Sequence, residues 1–385
     1  MEVRPSGGDP ALKPILIIAY NYPPRVSSGA IRPSRFARYL PEHGYRARII
    51  AAPYEPEPFP EQVHRVPAPG RASLRLRLAE WWHDGLQSLV SPYNERLPWV
   101  PYVVDAASRL MRAPDAPAAV FSTSPPPATH VAALRLKRRF AIPWIADFRD
   151  PLLGNPFHSS RRAQLYYRQL ERAILKHADA VIANTEPLTQ LLKARYPGRE
   201  GKIVHLPNGY DPEERFGPAP IPARPYRVLA HVGGLYGGRH PGKLLASLGR
   251  LIARGAVAPG TIRVELTGGM EPQIAALLNG PAFARLRELG CLHFDAVEIP
   301  REAARRKTAE ADYLLLVDLN EQGAGLQVPA KLYDYVLVGR PILAFTHRQS
   351  AAAEILAQSG VPHVRICDTD PEEETDRAVL EFLQL

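Results

Sequence analysis

Two cysteines, Cys291 and Cys367, are all that 385 residues provide. That excludes a disulfide framework, and since neither has a metal-type spacing, a reduced compartment is the natural expectation. No apolar run approaches the length that spans a bilayer, and the opening MEVRPSGGDP lacks the apolar stretch of a signal peptide. The expectation is a cytoplasmic protein, neither secreted nor integral, with a peripheral place on the inner face of a membrane left open. Aromatic residues are few, at 8%, and do not stud a basic repeat. With no helix-turn-helix signature either, nucleic acid ranks last among partners. The G-x-G-x-x-G and Walker patterns of familiar nucleotide sites are missing as well.

What the chain does have is length, apolar content and positive charge. A span of 385 residues suits two α/β domains, and 45% hydrophobic with 23% charged residues is a globular balance. Proline reaches 41 residues, clustered at loops and strand starts, where it punctuates. The net charge of +9 calls for a negative partner, such as a phosphorylated substrate or an anionic membrane surface.

Apolar runs alternate with helical spacings. Pro14 to Ala19, Ala47 to Ala52, Ala118 to Ser122, Pro143 to Ala146, Ala180 to Ala183 and Ile203 to Leu206 read as buried strands, with helices such as Ala30 to Leu40 and Arg161 to His177 between them. After the proline-rich FGPAPIPARP the rhythm resumes. Strands fall at Tyr226 to Val232, Ile262 to Leu266, Leu292 to Phe294, Tyr313 to Val317 and Pro341 to Phe345, and helices include Pro241 to Arg254, Lys331 to Val338 and Pro371 to Leu385. The organisation expected is α/β: a Rossmann-like domain over 1–210, a semi-rigid linker over 211–225 and a second Rossmann-like domain over 226–385, the two facing an interdomain cleft. Between Pro53 and Arg112 the pattern is less regular. Arg65, Arg71, Arg75 and Arg77 lead into Leu78, Trp81, Trp82 and Leu86, which fits either an amphipathic helix packed on a sheet or an interfacial helix on an anionic membrane.

Three stretches carry chemistry. Ser27, Ser28 and Gly29 form a small-residue loop between a strand and a helix, a place where backbone amides and the helix dipole meet an anion. Asp147, Arg149 and Asp150 lie at the carboxyl end of a strand, where α/β proteins keep their reactive groups, and His130 lies early in the helix before it. These carboxylates could instead fix Arg149 or cap a helix, and Arg32 and Arg35 could belong to a solvated helix face. In QVPAKLYDYVLVGRPILAF, Lys331 and Asp334 share one face of a helix that feeds a strand. A lysine suits a diphosphate and a carboxylate suits both hydroxyls of a ribose; a simple surface ion pair is the other reading.

The last stretch resembles the donor segment of retaining GT-B glycosyltransferases, the large family-4 group that uses nucleotide-diphosphate sugars. An acidic residue five positions before the glycine binds the ribose there, which points to Asp334. The second glutamate of that pattern would fall eight residues earlier, where this chain has Leu326, and Glu321 is the nearest substitute. The run YNYPPRVSSGAIRPSRFARYL and the segments SPPPATH, ADFRDPL, ADAVIANTE and LPNGYD are similar to the same family.

The resemblance implies a role for Ser28 and Gly29 beside the donor diphosphate, and for Gly233 and Gly234 in a glycine-rich turn. It implies that Gly323, Ala324, Gly325, Leu326 and Gln327 bind the sugar, with Lys331 and Asp334 on the nucleotide. Arg239 and Lys243 would hold the diphosphate, although the arginine usual a little earlier is replaced near Gly234. Arg32, Arg35 and Asp147 would serve the acceptor, and His130, Arg149 and Asp150 the reacting centre. No metal and no cofactor is implied beyond the nucleotide sugar as co-substrate.

The function expected is transfer of a hexose, with retention, from a nucleotide-diphosphate sugar, most simply a UDP-sugar, to a sugar, lipid-linked or small-molecule acceptor. Its setting would be polysaccharide, glycolipid or natural-product glycosylation. The rival reading is a catalytically degraded copy that binds nucleotide or scaffolds a pathway partner.

Overall fold

The computed structural model describes residues 12–25, 27–53, 63–66, 96–155, 160–210, 216–318 and 324–385. The chain divides into two units, Met1–Asn208 and Gly209–Leu385.

In unit 1 the apolar runs become a parallel sheet. Its strands are β1 (Lys13–Ile18), β2 (Tyr45–Ala51), β3 (Val63–Arg65), β4 (Ala119–Ser124), β5 (Trp144–Phe148), β6 (Ala180–Ala183) and β7 (Ile203–His205), in the order β3-β2-β1-β4-β5-β6-β7. Leu16 and Ile18 are fully buried, as a strand covered on both faces requires. The helices over Ser28–Tyr39, Ala128–Phe140, Arg161–His177 and Glu186–Arg195 supply that cover. Two of them start on side-chain caps, Ser160 accepting from the Ala163 amide and Thr185 from that of Leu188.

Unit 2 repeats the plan with β8 (Arg227–Val232), β9 (Ile262–Thr267), β10 (Leu292–Asp295), β11 (Tyr313–Val317), β12 (Ile342–Phe345) and β13 (His363–Ile366). All are parallel, in the order β10-β9-β8-β11-β12-β13. Tyr313–Val317 is buried at every position, and so is Ile342–Phe345.

The strand order fixes where ligands go. In each sheet the sequence runs outward one way and then the other, reversing between β1 and β4 in unit 1 and between β8 and β11 in unit 2. At such a reversal the connections leave in opposite directions, and a crevice opens beyond the carboxyl ends of the two central strands.

Among the described residues no helix is long and apolar enough to cross a membrane. The arginine- and tryptophan-bearing stretch with Arg71, Arg75, Arg77, Trp81 and Trp82 lies outside the described residues. Arg65 is in β3 and donates to the carbonyls of Ala52 and Tyr22, pinning the loop after β1.

Candidate active site

Charge gathers at the strand reversal of unit 2. His231, next to last in β8, is fully buried. Its Nδ1 lies 2.9 Å from the Leu315 carbonyl, which only accepts, so the ring proton sits on Nδ1 and Nε2 presents a lone pair. Lys331 Nζ donates to that lone pair at 2.8 Å. Burial and the neighbouring lysine hold the His231 pKa well below its ordinary 6.5, so the imidazole is neutral.

Lys331 opens the helix Lys331–Val338 and crosses the chain where β8 gives way to glycine. Gly233 has φ +124°, and a Cβ on it would stand 2.9 Å from Lys331 Nζ. The backbone angle calls for glycine, and a Cβ would also crowd the lysine's amino group. Burial lowers the Lys331 pKa from 10.5 to about 7; Arg239 adds to the fall, and Asp318, just past β11, opposes it. One turn along, the Tyr335 hydroxyl accepts from the Val232 amide at 3.2 Å and ties this helix to β8. Asp334, on the same first turn, is half-buried.

The loop after β8 brings a second cation. Arg239 stacks on Tyr236, its guanidinium carbon 4.8 Å from the ring centre. Its buried Nε has no hydrogen-bond acceptor among the described residues. Gly234 packs near the same ring. Ala324–Leu326 is a single 3-10 turn, and Gly325 lies so close to the Gln349 carbonyl that a Cβ would come within 2.9 Å of it. Gln327 is 7% exposed, with its Nε2 unpaired among the described residues. Gly323, like Glu321, lies outside the described residues.

Lys243 departs from expectation. Its ammonium donates to the carbonyls of Cys367 at 2.8 Å, Asp368 at 2.6 Å and Asp370, which uses all three N–H groups. It fastens the loop after β13 and is no free cation for a diphosphate. The helix it belongs to, Gly242–Ala253, also has the amide of its first residue donated to His240 Nδ1 at 3.2 Å. An Asp-x-Asp spacing does occur at Asp368 to Asp370, but the Asp370 carboxylate is taken by Arg348 and the Cys367 amide.

Unit 1 has a comparable cluster at its own reversal. Arg149 Nε donates to the Ser124 carbonyl at 3.0 Å and Nη2 to that of Pro125. Gly29, at the start of the helix Ser28–Tyr39, lies against this guanidinium, and a Cβ on it would be 3.0 Å from Arg149 Nη1 and 2.9 Å from the Asn21 amide nitrogen. Burial lowers the Arg149 pKa, and Asp150 and Asp147 counter the fall. Ser28 is exposed on the first turn and Arg35 is half-buried further along the helix.

His130 is fully buried, its Nδ1 2.8 Å from Ser122 Oγ, which also accepts from Trp144 Nε1 at 2.8 Å. Burial first, then Arg149, push its pKa down to about 3, which keeps it neutral. Its Nε2 has no partner among the described residues.

Arg32 and Asp147 meet each other. Arg32 gives two donors to the Asp147 carboxylate and the rest to the carbonyls of Leu206 and Pro207 and to Asn208 Oδ1, so every N–H of the guanidinium is used. Thr123 Oγ1 adds a 2.7 Å bond to Asp147.

His231 and Asp318 were not among the residues singled out from sequence. The signal was there in both cases, a titratable residue at the carboxyl end of a strand whose middle is apolar, in RVLAHV and YLLLVD.

Residues 29–209 match the family model of the glycosyl transferase 4-like domain. No curated protein gives a significant sequence match. Among solved structures, a sucrose-phosphate synthase from Thermosynechococcus elongatus is 16% identical, with 97% of this chain and 94% of that one covered at a TM-score of 0.60. HepE from Anabaena, in complex with UDP and glucose, is 14% identical over 97% and 90% of the two chains, with a TM-score of 0.62. An E. coli trehalose-6-phosphate protein bound with UDP-2-fluoro glucose is 12% identical over 97% and 92%, with a TM-score of 0.64. At these identities the likeness speaks for the fold.

Proposed function

We propose that this chain, a GT-B glycosyltransferase whose residues 29–209 form a glycosyl transferase 4-like domain, transfers a hexose with retention from a UDP-sugar to a hydroxyl acceptor. The observation that carries this is the Lys331 and Arg239 pair at the β8–β11 reversal of unit 2. A lysine whose charged form is disfavoured by a neighbouring arginine is ill placed in an empty crevice and well placed beside a diphosphate.

Asp334 would accept from the ribose hydroxyls and the 3-10 turn at Ala324–Leu326 would lie toward the sugar. UDP is preferred among nucleotides because structures of this fold carry UDP or UDP-glucose. Unit 1 would hold the acceptor, with Arg149, Asp150 and His130 as the nearest polar groups. The choice among sugar, lipid-linked and small-molecule acceptors belongs to that unit.

In the reaction the bond between the sugar's anomeric carbon and the diphosphate oxygen breaks as an acceptor oxygen bonds to the same carbon. The acceptor proton passes to a donor phosphate oxygen, and UDP leaves. Negative charge grows on the diphosphate, and a well-aimed donor is worth about 3 to 4 kcal/mol to such a transition state. No step calls for a metal or a cofactor.

Leu326 in place of the family's first acidic residue favours the second reading, a copy that binds nucleotide without transferring. Slow hydrolysis of UDP-glucose and UDP-galactose without acceptor separates the two. A transferase releases UDP at a measurable rate, and a scaffold releases none.

A further inference from the structure

Lys331 is held where a lysine is hardest to keep charged. It is half-buried, it stands at the first position of a helix where the dipole repels cations, and it faces a second cation in Arg239. The Ala330 cap offers no side chain to the exposed amides of that helix. Three unfavourable features at one atom call for something that compensates them, and among the described residues the hydrogen-bond partner of Nζ is the neutral imidazole of His231.

That imidazole is itself fixed with care. β8 carries it into the core, the Leu315 carbonyl of the adjacent strand β11 accepts from its Nδ1–H, and the lone pair on Nε2 is left aimed at the lysine. One glycine lies against the lysine and a second packs on the first. Gly233 has no side chain to block Nζ. Gly268, at the end of β9, lies so close that a Cβ on it would be 2.5 Å from the Gly233 carbonyl oxygen. The step after β8 is thereby locked from the far side.

We infer that His231 is a positioning residue for donor binding: its Nε2 lone pair parks the Lys331 amino group over Gly233, ready to meet a phosphoryl group of the nucleotide. The inference rests on the reading of unit 2 as the donor unit and adds to it a residue, a tautomer and a consequence.

The consequence is proton uptake. The groups that face Lys331 are His231 from β8, Arg239 from the following loop and Asp318 from the end of β11, while Asp334 and Tyr335 share its helix. Among the described residues Asp318 alone favours the charged lysine, against burial and Arg239. With the amine at about 7, much of the free protein at pH 8 has a neutral lysine. A diphosphate arriving beside it reverses the balance and draws a proton from solvent onto Nζ. His231 makes this tolerable, because a neutral acceptor satisfies the amine in either protonation state without adding a charge.

The test is a double-mutant cycle on UDP binding, by calorimetry at pH 7 and 8 in two buffers of different ionisation heat. The proteins are wild type, His231→Leu, Lys331→Met and the double variant. Wild type should take up a fraction of a proton on binding UDP at pH 8. His231→Leu should weaken UDP by about tenfold, the scale of one lost charged hydrogen bond, and should add almost nothing on top of Lys331→Met. If His231→Leu fails to fold, His231→Gln takes its place, with an amide that still offers an acceptor and a correspondingly smaller loss.

An equal loss with and without Lys331, or no proton uptake by wild type, would overturn the inference and leave the donor reading standing. Failure of wild type to bind UDP, GDP, ADP and dTDP would overturn the donor reading itself, and this inference with it.

Discussion

Asp147 and Arg32, 115 positions apart, form a bidentate pair in the interior of unit 1, with Asp147 fully buried and Arg32 7% exposed. The helix after β1 is thereby bolted to the end of β5, and the same guanidinium ties both to the carbonyls that follow β7. Both residues were expected at the acceptor, and their side chains are instead spent on each other and on the backbone.

Arg32→Ala should therefore act on stability. Leaving a buried carboxylate without its partner costs about 3 to 5 kcal/mol, read as a lower denaturation midpoint, while UDP affinity in unit 2 stays as it was. A fold of unchanged stability would show that the pair is dispensable and restore Arg32 to the acceptor.

Lys331 makes nucleotide binding depend on pH. Its amine titrates near 7, pulled down first by burial and then by Arg239. Below that value the charge is already present and affinity should be flat. Above it each binding event must also take up a proton, so the dissociation constant should rise by up to about tenfold per pH unit until the pKa of the bound form is reached. Lys331→Met should weaken binding and remove the slope. Calorimetric titration of UDP from pH 6 to 9 checks both.

For Lys243 the expectation runs the other way. Its three donors close the loop from Cys367 to Asp370. Lys243→Met should lower the unfolding temperature, since each carbonyl left unpaired costs about 1 kcal/mol or more, and should leave UDP binding intact. A lost UDP affinity at unchanged stability would return Lys243 to the diphosphate.

Buried His130 should make the protein sensitive to acid. Its pKa is about 3 in the fold and about 6.5 in an unfolded chain. The unfolded state therefore binds a proton that the native state refuses. Stability is complete above pH 6.5 and falls as pH drops toward 3, by up to about 1.4 kcal/mol per unit. His231, also depressed, contributes in the same direction. Denaturant titrations of wild type and His130→Asn at pH 7 and 5 should show a smaller acid loss in the variant.

Most of the scaffold was legible in the sequence, because buried parallel strands read as short apolar runs. Tyr313 to Val317 and the helices Arg161–His177 and Lys331–Val338 fall where the spacing puts them. His363–Ile366 escaped notice, since HVRI is half polar and its pattern i, i, i, B is that of an edge strand. The site was legible as a region and not as a set of contacts. Spacing locates Lys331, Arg239 and Lys243 alike as basic residues near strand ends. It does not tell that one rests on an imidazole, one on a tyrosine ring and one on three carbonyls. The imidazole and the last of the carbonyls lie 100 and 127 positions from their lysines, and only the folded sheet brings them together.

The central claim is a nucleotide diphosphate at the β8–β11 reversal of unit 2, and a thermal-shift panel of UDP, GDP, ADP and dTDP on wild type, Lys331→Met and Asp334→Ala tests it most directly. A ligand that binds only the native state raises its stability, by about 2.7 kcal/mol at a hundred times its dissociation constant. The account predicts a clear rise with UDP for wild type and a much reduced one for both variants. No rise with any nucleotide, or a rise that both variants keep in full, would contradict it.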